Sequence, residues 1–204
     1  MSQPEQPGQP GGDPGAFTQE IRHQQVSARV PEKVAKGIFS TGAMVLQGPH
    51  EFVLDFVIRM QHPHTVAARV VLAPSIMPSF IQALRENLNN YQSKFGTPPA
   101  LPQPPPGTTP PPIDEIYDQL KLPDDALSGV YANAVMIAHS PSEFCFDFIT
   151  NFYPRSAVAA RVFLSAPQIP GLLSTLIRSF QQYQQKVAAA QQQRPPELRP
   201  PFPG

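Results

Sequence analysis

The sequence predicts an α+β protein of two β-β-β-β-α repeats: two antiparallel sheets, each covered by one amphipathic helix, packed as an intramolecular pseudodimer. Three observations lead to this prediction. The stretch Ala28–Phe95 recurs without a gap as Leu120–Val187, 92 residues further on. Each copy ends in an apolar stripe at helical spacing, and short extended segments precede each stripe. Because a unit of about seventy residues is near the lower limit for an independent core, we expect the copies to pack on each other.

Proline-rich segments separate the two copies and flank them. We expect a disordered start rich in Pro, Gln and Gly over residues 1–24, a first repeat over 25–96 and a proline-rich linker over 97–113. The second repeat then covers 114–190, and a proline-rich tail covers 191–204. The linker has the composition of a semi-rigid polyproline spacer, although polyproline also serves as a ligand for aromatic-lined grooves.

Four extended segments are predicted in each copy. The first, Gln25–Val30 and Tyr117–Leu122, are short and end at Pro31 and Pro123. The stronger predictions in the first copy are Ile38–Gln47, Glu51–Met60 and Thr65–Ala73, and those in the second are Val130–His139, Glu143–Phe152 and Ala157–Ser165. In the strand after the first hairpin turn, Phe52, Leu54, Phe56 and Ile58 alternate with Glu51, Val53 and Asp55, which predicts one buried face.

A helix with one buried face is predicted at the end of each copy. The stripe in the first copy is Met77, Phe80, Ile81, Leu84, Leu88, Tyr91 and Phe95. The positions 92 residues later are all apolar as well: Ile169, Leu172, Leu173, Leu176, Phe180, Tyr183 and Val187. This spacing indicates core packing.

Composition argues against several classes of protein. The formal net charge of the 204-residue chain is zero, which gives no support for a strongly basic phosphate-binding protein. The single cysteine, Cys145, fits a reducing compartment. No apolar run is long enough to span a bilayer, and the start has no signal-peptide pattern, so we expect a cytoplasmic protein with no membrane contact.

Two carboxylate–guanidinium pairs are the best polar candidates. A hairpin between the third and fourth strands places Asp55 close to Arg69, and the same geometry relates Asp147 to Arg161. The structural interpretation is a cross-strand pair that holds the register of the sheet. The functional interpretation is a ligand-binding arginine with a supporting aspartate.

No catalytic or metal-binding motif accompanies these pairs. The histidines of His62-Pro63-His64 lack a neighbouring cluster of Cys or carboxylate residues, and the second copy has Pro154-Arg155-Ser156 there. Cys145 replaces Val53 and is interpreted as a small strand residue. No phosphate loop or nucleophile elbow occurs. We therefore predict neither an enzyme nor a bound cofactor or metal.

The segment Tyr131–Phe148 (YANAVMIAHSPSEFCFDF) resembles domain-of-unknown-function family 3467, an uncharacterised prokaryotic family. The second copy matches the first half of the family pattern at Tyr131, Asn133, His139, Ser140, Pro141, Glu143, Phe144, Asp147 and Phe148. The first copy matches the second half better, at Arg69, Pro74, Ala83, Leu84, Glu86, Asn87, Tyr91, Phe95 and Gly96. The resemblance identifies two tandem copies and implies no mechanism.

Each copy departs from the family pattern in a different half. The first copy has Thr41, Gln47 and Gly48 where the second keeps Asn133, His139 and Ser140, and the second has Ile177, Arg178 and Ser179 where the first has Arg85, Glu86 and Asn87. If the ordinary member is a homodimer of single modules, this chain resembles a fused, asymmetric version with one composite site. We therefore take Asn133, His139, Glu86 and Asn87 as the candidate functional positions.

Three functions are compatible with these features. The first is a non-enzymatic adaptor, a monomeric pseudodimer that binds an unknown protein partner through a sheet surface or edge. The second is single-stranded nucleic-acid binding, because the duplicated β-β-β-β-α order is similar to that of the Whirly and PUR proteins. The third is a chaperone similar to SecB. The sequence favours the first, because the chain carries no excess of positive charge.

Overall fold

The computed structural model describes residues 28–102, 105, 107, 111–152 and 154–192. The start of the chain, residues 103, 104, 106 and 108–110 of the proline-rich linker and the tail beyond Gln192 lie outside the described residues, and so do the predictions made for them. The first copy contains α1 (Glu32–Ala35), β1 (Ile38–Ser40), β2 (Gly42–Gln47), β3 (Phe52–Ile58), β4 (His64–Leu72) and α2 (Met77–Phe95). The second contains α3 (Ile113–Asp118), β5 (Leu120–Lys121), α4 (Asp124–Leu127), β6 (Val130–Ala132), β7 (Ala134–His139), β8 (Glu143–Thr150), β9 (Ala157–Ser165) and α5 (Ile169–Gln192).

The α+β class and the tandem duplication are confirmed, but the predicted strands Ile38–Gln47 and Val130–His139 are wrong in one respect. Each is two strands that belong to different sheets. The break falls at Thr41, whose N–H donates to the carbonyl of Val57, and at Asn133, whose N–H donates to that of Ile149. The chain crosses from one sheet to the other at these two residues.

The prediction of a strand over Tyr117–Leu122 is also wrong in part. Tyr117 lies in helix α3, and only Leu120–Lys121 is extended. The helix forms because its apolar residues, Ile113, Ile116 and Tyr117, are spaced as one face of a helix. Acidic residues in its first turn stabilise it further. The equivalent strand predicted in the first copy was Gln25–Val30. In its described part, Arg29 forms one isolated parallel β-bridge with Ala157.

Each of the two sheets combines strands from both copies. Sheet 1 has the antiparallel order β2-β3-β4 from the first copy, with β5 and β6 of the second copy parallel to β4. Sheet 2 has the antiparallel order β7-β8-β9 from the second copy, with β1 of the first copy parallel to β9. The two copies therefore exchange their first strands, and both sheets carry a parallel pairing that the repeat alone did not predict.

The long helices are exchanged as well. Helix α2 of the first copy packs on sheet 2, where Phe80 meets Phe146 and Phe148 edge to face at 6.2 and 6.0 Å between ring centroids. Helix α5 of the second copy packs on sheet 1, where Phe52 contacts Tyr183 at 5.5 Å. The buried side chains of both sheets and both helices form one hydrophobic cluster. Because burial of each large side chain contributes about 1.5–3 kcal/mol, neither copy can keep this stabilisation alone.

The helices lie on the inner face of each sheet, and the opposite surface is called the outer face here. Phe52, Leu54 and Phe56 point inward, as predicted, whereas Asp55 points to the outer face. A register shift between Phe56 and Val57 ends the alternation, so that Val57 is buried and Ile58 is not, against the prediction. Sheet 2 has the same shift between Phe148 and Ile149.

Candidate functional site

The two aspartate–arginine pairs occupy equivalent places on the outer faces. Asp55 lies opposite Arg69 in register, and the guanidinium donates from Nε and Nη2 to the two carboxylate oxygens at 2.8 and 2.7 Å. Arg161 donates to Asp147 in the same way, at 2.7 Å for both bonds. Such bidentate bonds are stronger than neutral ones and fix the register of two strands.

Each arginine also connects the two copies. Nη1 of Arg69 donates to the carbonyl of Leu127 at 3.2 Å, and Nη1 of Arg161 donates to that of Ala35 at 3.3 Å. Leu127 ends α4 of the second copy and Ala35 ends α1 of the first, so each bond ties a sheet to the segment that enters it from the other copy. The two arginines therefore connect the two copies as well as two neighbouring strands.

The surroundings of the two pairs differ. On sheet 1, helix α3 covers the pair: the hydroxyl of Tyr117 donates to Oδ2 of Asp55, and its ring lies 5.9 Å from Cζ of Arg69. The Asp55 side chain is fully buried. Burial, and then the bond to Asp55, raise the pKa of Tyr117, so the phenol keeps its proton and donates. The hydrogen bond from Arg69 to Asp55 raises the pKa of Arg69.

On sheet 2 the described residues leave the equivalent pair partly exposed. The Asp147 side chain is 17% exposed, and its neighbour in register on β7, Met136, is 50% exposed. Apart from Arg161, the described contact of Asp147 is the thiol of Cys145, at 3.9 Å. Burial of that thiol, and then the charge of Asp147, raise the pKa of Cys145. No described residue covers Asp147 as Tyr117 covers Asp55.

Two of the four candidate polar residues come together across the copies. Nδ1 of His139, at the end of β7, lies 3.3 Å from Oδ1 of Asn87 on helix α2. The imidazole also contacts the rings of Tyr91, Phe95 and Phe144 at 5.8, 6.2 and 5.3 Å between centroids. The exchange of helices is what brings a residue of the first copy to a residue of the second.

The equivalent place at the other end of the molecule is open. Gln47 stands at the position of His139; with its amide oriented to satisfy both groups, its nitrogen donates to the carbonyl of Ser179 at 2.9 Å and its oxygen accepts from Nζ of Lys186 at 3.3 Å. A cleft of about 700 Å³ adjoins it, lined by His50, Tyr183 and Val187 among others. Gln47 and Val187 stand here in place of His139 and Phe95, whose rings contact each other at the other end.

The remaining two candidate residues have local roles. The side chain of Asn133 accepts from the N–H of Asn151 at 2.6 Å and donates to its carbonyl at 3.3 Å. In the first copy, Thr41 accepts from the N–H of Arg59 at 2.8 Å, so both residues hold the crossing between the sheets. Glu86 accepts from Gln82 at 2.6 Å on the exposed surface of α2.

A further cavity of about 180 Å³ lies where β4 and β9 approach each other. Every lining residue has its counterpart 92 positions away in the same lining, which places the cavity on the pseudo-twofold axis. The pairs are Lys33/Asp125, Val34/Ala126, Gly37/Gly129, Ile38/Val130, Ala67/Ala159, Ala68/Ala160 and Arg69/Arg161.

Sequence reasoning missed the roles of Tyr117, which covers the pair on sheet 1, and of Met136, which is exposed beside the pair on sheet 2. The signal for Tyr117 was the apolar spacing of α3, and the signal for Met136 was its identity with Met44 in the repeat. Within the described ranges, no group of three or more His, Cys, Asp or Glu side chains is placed to hold a metal ion. A search of the same ranges finds no helix with the length and apolar character that a membrane crossing requires.

Fold and site together define a duplicated α+β protein in which two copies of one module exchange strands and helices. Residues 1–98 and 102–189 each match the family described as "protein of unknown function (DUF3467)". The chain belongs to this family and contains two tandem copies of its domain. No curated protein and no solved structure matches the chain.

Proposed function

We propose that the protein is a non-enzymatic interaction module that binds a protein partner through the outer face of sheet 2. One observation carries the proposal: helix α3 covers the Asp55–Arg69 pair on sheet 1, whereas the identical Asp147–Arg161 pair on sheet 2 has no such cover among the described residues. A pair that is covered in one copy and has no described cover in its duplicate is suited to receive a partner in the second.

An apolar row beside the open pair supports the same surface. One row of side chains stands in register across all four strands of sheet 2 and consists of Ala138, Cys145, Phe163 and Phe39. Phe39 is 49% exposed. No charged side chain interrupts the row. Aromatic and methionine side chains are enriched in the cores of protein interfaces, and charged residues are depleted there.

Single-stranded nucleic acid is the second candidate. The stacked rings of Tyr131 and Phe152 favour it, because they are 44% and 54% exposed and bases stack on such rings. Against it, the guanidinium charges of Arg69 and Arg161 are neutralised by aspartates, and the chain carries no net positive charge. A protein partner is therefore the better supported proposal. We also propose a cytoplasmic location, since the free thiol of Cys145 fits a reducing compartment.

A pair of photo-crosslinking variants tests the proposal. A benzophenone side chain at position 136 stands on the open face, and one at position 44 stands at the equivalent, covered place. Irradiation in native lysate is expected to give a reproducible protein adduct from position 136 and none from position 44. Equal adducts from both positions, or none from either, would contradict the proposal.

A titration separates the two candidate functions. Labelled single-stranded DNA and RNA are added to the full chain at low and at physiological salt. We expect no saturable binding at physiological salt, because the net charge of the chain is zero and the two arginines of the outer faces are each paired with an aspartate. Micromolar, salt-sensitive binding that is lost on Phe152→Ala substitution would favour nucleic acid instead.

A further inference from the structure

We propose that the open face of sheet 2 binds a short helical segment of a protein partner, with a tyrosine whose hydroxyl donates to Asp147. The segment would lie on sheet 2 as helix α3 lies on sheet 1. This inference rests on the proposed function and adds the chemistry of the partner.

The groups that hold α3 on sheet 1 are repeated on sheet 2. Met44, Asp55 and Arg69 stand side by side across β2, β3 and β4. Their counterparts Met136, Asp147 and Arg161 stand in the same order across β7, β8 and β9. Both faces therefore present an apolar side chain, an acceptor and a guanidinium in the same register.

Each of these groups has an assigned task on sheet 1. Asp55 accepts from the hydroxyl of Tyr117, and the guanidinium of Arg69 lies against its ring. Met44 lines the same small cavity as Ile116 of α3, next to the apolar side of the helix. On one helical turn, a tyrosine can donate its hydroxyl to the aspartate and lay its ring against the arginine, and a branched aliphatic side chain can lie near the methionine. A partner segment with isoleucine and tyrosine at adjacent positions carries these groups.

The side chains beside the pair differ between the two faces. Ala138 and Cys145 stand where sheet 1 has the larger Leu46 and Val53, whereas Phe163 stands where sheet 1 has the smaller Val71. Asp147 retains exposed surface after both bonds to Arg161, so its carboxylate can accept a further hydrogen bond. An exposed acceptor beside an apolar row fits a docking segment that carries a hydrogen-bond donor on an apolar face.

The chain does not repeat the tyrosine itself. The residue 92 positions before Tyr117 is Gln25, whose amide has no ring to lie over Arg161. The tyrosine of a second copy of this chain is already bound to Asp55 in its own molecule. A partner protein can therefore supply a tyrosine to Asp147 without breaking the hydrogen bond between Tyr117 and Asp55.

Methyl NMR on the full chain tests the inference. The probe is a synthetic peptide with the sequence of residues 111–122, PPIDEIYDQLKL, added to protein labelled at the methionine methyl groups. The Met136 resonance, assigned with Met136→Leu, is expected to shift in a saturable way, and the Met44 resonance is expected to stay. A peptide with Phe in place of Tyr should bind about tenfold more weakly, because a hydrogen bond to a charged acceptor is lost.

Two protein variants keep the test specific. Asp147→Asn should weaken peptide binding by about tenfold while the circular dichroism spectrum stays unchanged. Arg85→Gln, on the exposed surface of α2, should leave the affinity unchanged. Equal binding of the Tyr and Phe peptides would overturn the inference, and so would a Met136 resonance that does not shift at peptide concentrations up to about 1 mM.

If another segment binds the outer face of sheet 2, the measurements differ, and each of these outcomes overturns the inference. Peptide binding that appears only after residues 1–26 are removed would assign the face to the chain's own start. A dimer in light scattering that the peptide dissociates would assign it to a second copy. If the peptide fails but position 136 still crosslinks to a protein, the proposed function stands and only the chemistry of the partner is wrong.

Discussion

Asp55 and Asp147 form the same two bonds to arginine but differ in what surrounds them. Asp55 is fully buried beneath Tyr117, whereas Asp147 stays 17% exposed beside a half-buried cysteine. A buried charge that loses its partner is strongly destabilising, because it can be neither solvated nor neutralised. In an exposed pair, solvent compensates for most of the loss.

The first prediction compares two matched substitutions. Asp55→Ala should lower the free energy of unfolding by about 3 kcal/mol, because it leaves Arg69 partly buried without its partner. Asp147→Ala should lower it by about 1 kcal/mol, since water reaches that site. Urea unfolding of both variants measures the difference. Equal losses would show that the cover by α3 has no energetic consequence.

The second prediction concerns Tyr117 and pH. At neutral pH, Tyr117→Phe should lower the free energy of unfolding by about 1.5 kcal/mol, because the bond to Asp55 is lost. The folded protein raises the pKa of Tyr117, so the stabilisation is complete below the ordinary tyrosine pKa of about 10. Above that value the unfolded chain ionises first, and the stabilisation declines as the pH rises further.

The measurement is the difference between wild type and Tyr117→Phe at a series of pH values from 7 to about 11. The difference isolates Tyr117, since all other titrating groups are common to both proteins. A difference that grows above pH 10 would contradict the assigned direction.

At the scale of elements, the tight turns before β1 and β6 allow each first strand to reach the other sheet. Gly129 has a φ of +67°, and a Cβ there would lie 2.7 Å from Cγ of Arg69. Both the backbone conformation and the close approach require glycine. Gly37 holds the equivalent turn, with the same φ.

The third prediction separates backbone strain from steric overlap. Gly96 ends α2 with a φ of +84°, and nothing lies within 4 Å of its Cβ position. Gly96→Ala should therefore cost only the backbone conformation, which at a ψ of 178° is adopted essentially by glycine alone, about 1–2 kcal/mol. Gly129→Ala should cost about 3 kcal/mol, because the overlap with Arg69 is added. Thermal and urea unfolding compare the two, and equal costs would show that β6 can shift away from Arg69.

At the scale of the molecule, the exchange of strands and helices makes the two copies one folding unit. Each sheet takes an edge strand and its covering helix from the other copy, and the buried residues form a single cluster. Separate folding of the copies would leave both sheets exposed on their inner faces.

The fourth prediction follows from this exchange. The full chain should unfold in one transition, with fluorescence and circular dichroism coincident. A fragment of residues 1–102 and a fragment of residues 103–204 should each fail to form a folded monomer, and an equimolar mixture should recover the spectrum of the full chain. Light scattering and circular dichroism measure this. Two separate transitions, or a folded monomeric fragment, would contradict it.

Much of the fold was predictable because duplication doubles each local signal. The helix stripes, the strands after each turn and the opposition of Asp55 to Arg69 follow from periodicity within one copy. The division of Ile38–Gln47 was not predictable, since both halves are extended and only Thr41 marks the crossing. Helix α3 was not predicted, because only three apolar residues mark its face and it directly follows a proline-rich segment.

The sequence by itself determined that the protein consists of two copies of one module, which faces of the helices and strands are apolar and which charges face each other across a hairpin. The tertiary structure decided which copy supplies the helix on each sheet, and that Tyr117 covers one ion pair while no described residue covers the other. The physical reason is that a pattern of apolar residues records burial but not the identity of the surface that buries it. In a duplicated chain both sheets offer nearly the same surface, so only the path of the chain selects between them.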